Sequence, residues 1–158
     1  MTENYIGIMI ESLRRKKDVL TDILKLSEEQ SLLLDDPNLE PDTFEKNVNR
    51  KAALIDKLEQ LDTGFESLYD KVKEELESNR DIHKEQIRQM QELIRALTEV
   101  NMQIQATEAR NKEKATAKFA YIRQQAKEIR SSQKIVKEYY NNMMHKAYNE
   151  PHFLDNKK

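Results

Sequence analysis

Glycine and proline are scarce in this chain, with two of the first and three of the second in 158 residues. Sandwiches, barrels and phosphate-binding loops place both residues at their turns. Those folds are therefore excluded in the main, and an all-α chain with few reversals remains. Cysteine is absent altogether. That removes any disulfide framework and any thiolate chemistry, and it agrees with a reducing compartment. No uninterrupted apolar run approaches the ~18–20 residues that a membrane span needs. The opening Met1 to Tyr5 also carries no basic segment of the kind that precedes a leader's apolar stretch. A soluble cytoplasmic protein with no membrane insertion is the expectation.

What the chain has instead is charge and helical periodicity. Charged residues make up 35% of it, yet the apolar residues recur regularly, which separates it from a disordered chain of similar polarity. The stretch Asp81 to Tyr148 contains neither glycine nor proline. In it Ile87, Met90, Ile94, Leu97 and Ile104, then Ile122, Ile129, Val136, Tyr139 and Met143, follow steps of three and four. This spacing keeps one seam of a helix facing a partner. Upstream, Tyr5/Ile6, Met9/Ile10, Leu13, Leu20, Ile23/Leu24 and Leu33/Leu34 mark a first helix. Its repeat weakens at Lys16-Lys17 and from Ser27 to Ser31, which suggests wet or loosely packed layers. Pro37 and Pro41 break the chain, and Asp42 with Glu45 reads as a capping box for the next helix. The second helix has the most regular stripe, Leu54, Leu58, Leu61, Phe65, Leu68, Val72 and Leu76. Lys51, Lys57, Lys71 and Lys73 alternate with acids on what should be its outer side. Gly64 marks a close helix contact or a mild kink.

The expected fold is all-α: an elongated antiparallel bundle or coiled coil of three long helices, about 2–34, 43–78 and 81–148. Near 105–118 fourteen residues contain no large apolar side chain; the stretch is either a solvated part of one helix or a bend that makes a fourth. Residues 1–150 form one helical-bundle domain in this reading, and 151–158 a flexible polar tail.

Charge is unevenly spread. Residues 1–80 carry 12 Lys/Arg against 19 Asp/Glu, and residues 81–158 carry 15 against 10. A polar helix face explains this most simply, and antiparallel packing of the basic half against the acidic half would also use it. Aromatic residues are not interleaved with the basic ones, so nucleic acid is disfavoured as a partner. The three histidines, His83, His145 and His152, lack the carboxylate spacing of a metal site, and there is no Glu-x-x-His pair for a di-iron bundle. No catalytic, cofactor-binding or metal-binding residue emerges, and an enzyme is not expected.

One signal is left over. A straight third helix would outrun its partners near residues 115–120. Ile122, Ile129, Val136, Tyr139, Tyr140 and Met143 would then lie uncovered, as a surface for a protein client. Two alternatives stand beside that reading: the strip folds back as a fourth helix, or it packs in a homodimer.

Three stretches resemble the FlgN family. They are Leu26-Ser27-Glu28-Glu29-Gln30-Ser31-Leu32-Leu33 near the end of the first helix, Lys51-Ala52-Ala53-Leu54-Ile55-Asp56-Lys57-Leu58-Glu59-Gln60-Leu61 in the second, and Leu97-Thr98-Glu99-Val100-Asn101 in the third. Where that family often has another asparagine, three residues after the first, this chain has Ile104. The resemblance implies a cytoplasmic flagellar export chaperone without enzymatic activity. Such a protein binds hook–filament junction proteins and delivers them to the type III export apparatus. The resemblance also implies a client site on the carboxyl-terminal helix, which in this sequence corresponds to Ile122 through Met143. A different helical secretion chaperone of the FliT type and a structural coiled-coil or dimerisation module are the other classes left open.

Overall fold

Three long helices form in the order that the periodicity sets. The computed structural model describes residues 2–125 and 136–143. Helix α1 spans Thr2–Asp35, α2 spans Pro41–Ser78 and α3 spans Lys84–Gln125. A further helical stretch covers residues 136–143. No strand occurs among the described residues, so the expected all-α bundle of three long helices is what the chain forms.

The proline pair acts somewhat differently from expectation. Pro41 is itself the first residue of α2, where its fixed φ suits a helix and its missing N–H would have no partner. Glu40 is the N-cap, in extended conformation with no side-chain capping bond. The expected Asp42–Glu45 capping box is therefore not made. The backbone N–H groups of Thr43 and Phe44 bond to the Glu40 carbonyl instead. The turn before it is held by the Asn38 N–H donating to the Asp36 carboxylate at 2.9 Å, a local side-chain turn typical of aspartate.

Contacts along the helices fix their directions. Gln30 meets Asn47 and Lys16 meets Asp62, so α1 and α2 run antiparallel. Ser27 meets Glu108 and Ser31 meets Lys114, so α1 and α3 run parallel. No Cα atom of α2 comes within 8 Å of one in α3, whereas both helices approach α1 that closely. α1 is thus the middle helix. Its buried line is correspondingly broad: Ile6, Met9, Ile10, Leu13, Val19, Leu20, Ile23 and Leu34. Each such side chain stabilises the fold by roughly 1.5–3 kcal/mol through burial.

The regularity of the α2 stripe is not matched by its burial. Phe65, Val72 and Leu76 of its regular stripe are buried. Leu54, Leu58, Leu61 and Leu68, from the same stripe, only lean partly buried against the core. A helix touching one neighbour closely needs a narrower apolar band than one flanked on both sides. Gly64 has open space where a Cβ would stand, so it marks no close contact.

The third helix was expected either to run straight to residue 148 or to bend near 105–118. It does neither. It continues unbroken through 105–118 to Gln125, and residues 136–143 lie back against the body of the bundle. Residues 126–135, between them, lie outside the described residues.

A buried polar layer beneath the returning helix

The core is divided in two. A long apolar cluster runs from Ile6 to Ile23 on α1, with Ile55 to Leu76 on α2 and Met90 to Ile104 on α3. A short one gathers Leu34, Phe44, Ala115, Val136 and Tyr140, with Phe119 packed against it. Between the two lies a layer in which nearly every side chain is polar. Ser27 and Gln30 come from α1, Asn47 and Lys51 from α2, and Glu108 and Asn111 from α3, all buried.

The layer is closely bonded. Lys51 Nζ, with no exposed surface, donates to Glu108 Oε1 and, at 3.1 Å, to Gln30 Oε1. The Ser27 hydroxyl donates to the same Glu108 oxygen. Asn111 Nδ2 donates to the Ser27 carbonyl at 2.8 Å, and Gln30 Nε2 to Asn47 Oδ1 at 3.0 Å. Asn47 Nδ2 closes the set on the Leu26 carbonyl at 2.9 Å. Burial pushes the Lys51 ammonium below its ordinary pKa, and the Glu108 carboxylate opposes that shift.

Sequence reading missed this layer. Lys51 belonged to an outer charge row, and the polar stretch 105–118 read as solvated surface or a bend. Instead Thr107, Glu108, Asn111 and Ala115 form its inner line. Two signals pointed to it: the gap from Ser27 to Ser31 on α1, and Glu108 and Asn111 standing on the apolar seam of α3. Neither showed that the two gaps meet at one level. The other gap, at Lys16, is likewise not wet: Lys16 is buried and pairs with Asp62 at 2.8 Å.

Residues 136–143 cover this layer, and they include most of the expected client-binding strip. Val136 belongs to the short cluster and Met143 to the long one, so the stretch runs antiparallel to α3. Val136, Tyr140 and Met143 are 8%, 1% and 3% exposed. For residues 136–143 the expected projection beyond the bundle is therefore corrected, and the fold-back alternative describes them. The Tyr140 hydroxyl donates to Gln30 Oε1 at 2.6 Å. Lys51 Nζ lies 5.3 Å from the Tyr139 ring centroid and 6.0 Å from that of Tyr140, within cation–π range. Burial, aided by the nearby Glu108 charge, drives both phenol pKa values far above their ordinary range.

Ile122 is half-buried. It lines an apolar groove with Leu39, Pro41, Phe44, Val48, Phe119 and Val136, a cavity of about 220 Å³. Ile129 lies outside the described residues. Lys114 and Lys118 fasten this end, Lys114 to Asp35 at 2.9 Å and Lys118 to the Asp36 carbonyl at 2.6 Å. α1 has no basic residue in its own last turn, so α3 supplies the cations that a helix carboxyl end favours.

Among the described residues no cluster of His, Asp or Glu is placed to hold a metal ion. None of their helices is long and apolar enough to cross a membrane. No curated protein and no solved structure matches the chain. The family described as FlgN protein matches it over residues 1–146, nearly its whole length, and the chain belongs to the FlgN family.

Proposed function

We propose that the chain is a flagellar export chaperone that captures hook–filament junction proteins and presents them to the type III export apparatus. In this reading the client site is the carboxyl-terminal strip, Ile122, Ile129, Val136, Tyr139, Tyr140 and Met143. Membership of the FlgN family supports the chaperone role. The observation that carries the site is the spacing of Val136, Tyr139, Tyr140 and Met143. These stand at i, i+3, i+4 and i+7 on a helical stretch already engaged in helix-in-groove packing. A helix that packs this way on its own bundle can pack the same way on a client, with aromatic anchors at its centre. Since three of these side chains are buried in the free chain, capture requires residues 136–143 to leave the bundle first.

That burial also favours a second reading, in which the strip is only the fourth helix of a structural module. Ile129→Asp combined with Val136→Asp separates the two. The variant is co-expressed with candidate junction proteins, followed by pull-down and a thermal melt of the purified chain. The client reading expects capture to be lost while the long apolar cluster still melts cooperatively, within a few degrees of the parent. Collapse of the whole fold assigns the strip to the core. Undiminished capture moves the client site elsewhere.

A further inference from the structure

We propose that the buried polar layer is a release device, built to keep residues 136–143 only weakly docked. The inference rests on the client reading above and assigns how that site is regulated.

The stretch docks on the one level of the core that is polar. Its two tyrosines close over Lys51 and Glu108, which are 0% and 1% exposed once covered. Docking thus strips water from an ion pair, a penalty that the attraction between the two charges need not repay. In the docked state three polar atoms are buried without a hydrogen-bond partner among the described residues: Glu108 Oε2, Asn111 Oδ1 and Tyr139 OH. An unmade bond at a buried polar group opposes burial. Every one of these oppositions is relieved when the stretch lifts and water enters the layer. Apolar contacts of Val136, Tyr140 and Met143 hold it down, with the Tyr140–Gln30 bond as its polar latch. An apolar layer at this level would have docked the stretch with no such counterforce. The polar layer therefore makes the exchange of an internal partner for a client helix nearly balanced.

Neighbouring tyrosines give opposite expectations. Tyr139→Phe removes a hydroxyl without a partner and should tighten docking. Tyr140→Phe removes the latch and should loosen it. Replacing the pair together, Lys51→Met with Glu108→Leu, removes the layer's charges and should also tighten docking.

Hydrogen–deuterium exchange of the peptide covering 136–143, in the full free chain, reads docking directly. Exchange should slow about threefold or more for Tyr139→Phe and about tenfold for the double variant, and it should quicken about threefold or more for Tyr140→Phe. The proposal is overturned if the two tyrosine variants shift exchange in the same direction or not at all. It is equally overturned if the folded double variant exchanges as fast as the parent. Should the double variant fail to fold, the tyrosine pair decides alone. Junction-protein capture by Tyr139→Phe should fall in step with its slower exchange. If exchange slows and capture does not change, the layer's role stands and the client reading fails.

Discussion

Truncating Leu20 should destabilise this protein far more than truncating Leu61, although Leu61 lies in the more regular stripe. Leu20 is 2% exposed on the middle helix, with α2 and α3 to either side. Leu20→Ala loses the transfer free energy of the missing methyl and methylene groups and leaves a cavity that two flanking helices cannot both close. Such sites lose about 3–4 kcal/mol. Leu61 is only partly buried at the margin of the core. Its truncation opens a notch that water fills, so only part of the transfer term is lost, about 1 kcal/mol. For a chain of this size each kcal/mol moves the melting midpoint by about 2–4 °C. The expected shifts are therefore about 6–16 °C for Leu20→Ala and about 2–4 °C for Leu61→Ala. Thermal and urea melts followed by circular dichroism at 222 nm measure both. Equal shifts, or a larger one for Leu61→Ala, would refute the placement of α1 at the centre.

Alkaline pH should release the carboxyl-terminal stretch. Both Tyr139 and Tyr140 have folded-state pKa values raised above the unfolded value of about 10. The folded state therefore holds protons that the unfolded chain gives up, and stability is lost as pH rises beyond that value. The double variant Tyr139→Phe, Tyr140→Phe should show a flatter alkaline limb in urea midpoints, and a steeper one would contradict the sign. At the other end of the bundle, Glu75 faces His83 at 3.0 Å and accepts from Asn79, and these bonds, His83 first, hold its carboxyl below the ordinary value. Its contribution is present above the unfolded pKa and fades as pH falls through the lowered one. Glu75→Gln should accordingly lose part of the parent's stability difference between pH 7 and acid, and an unchanged difference counts against the clasp. Gly7 and Gly64 sit within helices with open space at the Cβ position. Each Gly→Ala change should raise stability by about 0.5–1 kcal/mol, and a lowered midpoint would mean that a neighbour stands there after all.

Helix number, helix type and the place of the first reversal were legible in the sequence because they rest on local physics. Two prolines within five residues cannot continue a helix, and apolar steps of three and four specify one. The family resemblance was legible too, in short runs around Gln30, Lys51 and Asn101. It is notable that two of these runs contain members of the polar layer: Ser27 and Gln30 in one, Lys51 in the other. What the residues of one helix cannot state is which other helix they will meet. Lys51 on its own helix looks like any solvated lysine. It is buried because α1 and α3 bring Gln30 and Glu108 to the same level and satisfy its charge there. The strip from Val136 to Met143 has the same periodicity whether it projects, binds a partner or turns back. Only the tertiary structure decided that it turns back, because docking depends on side chains that α1, α2 and α3 bring to one level. Periodicity along one chain records that a face will be covered, and the identity of the cover is a property of contacts more than a hundred residues apart, such as Tyr140 with Gln30.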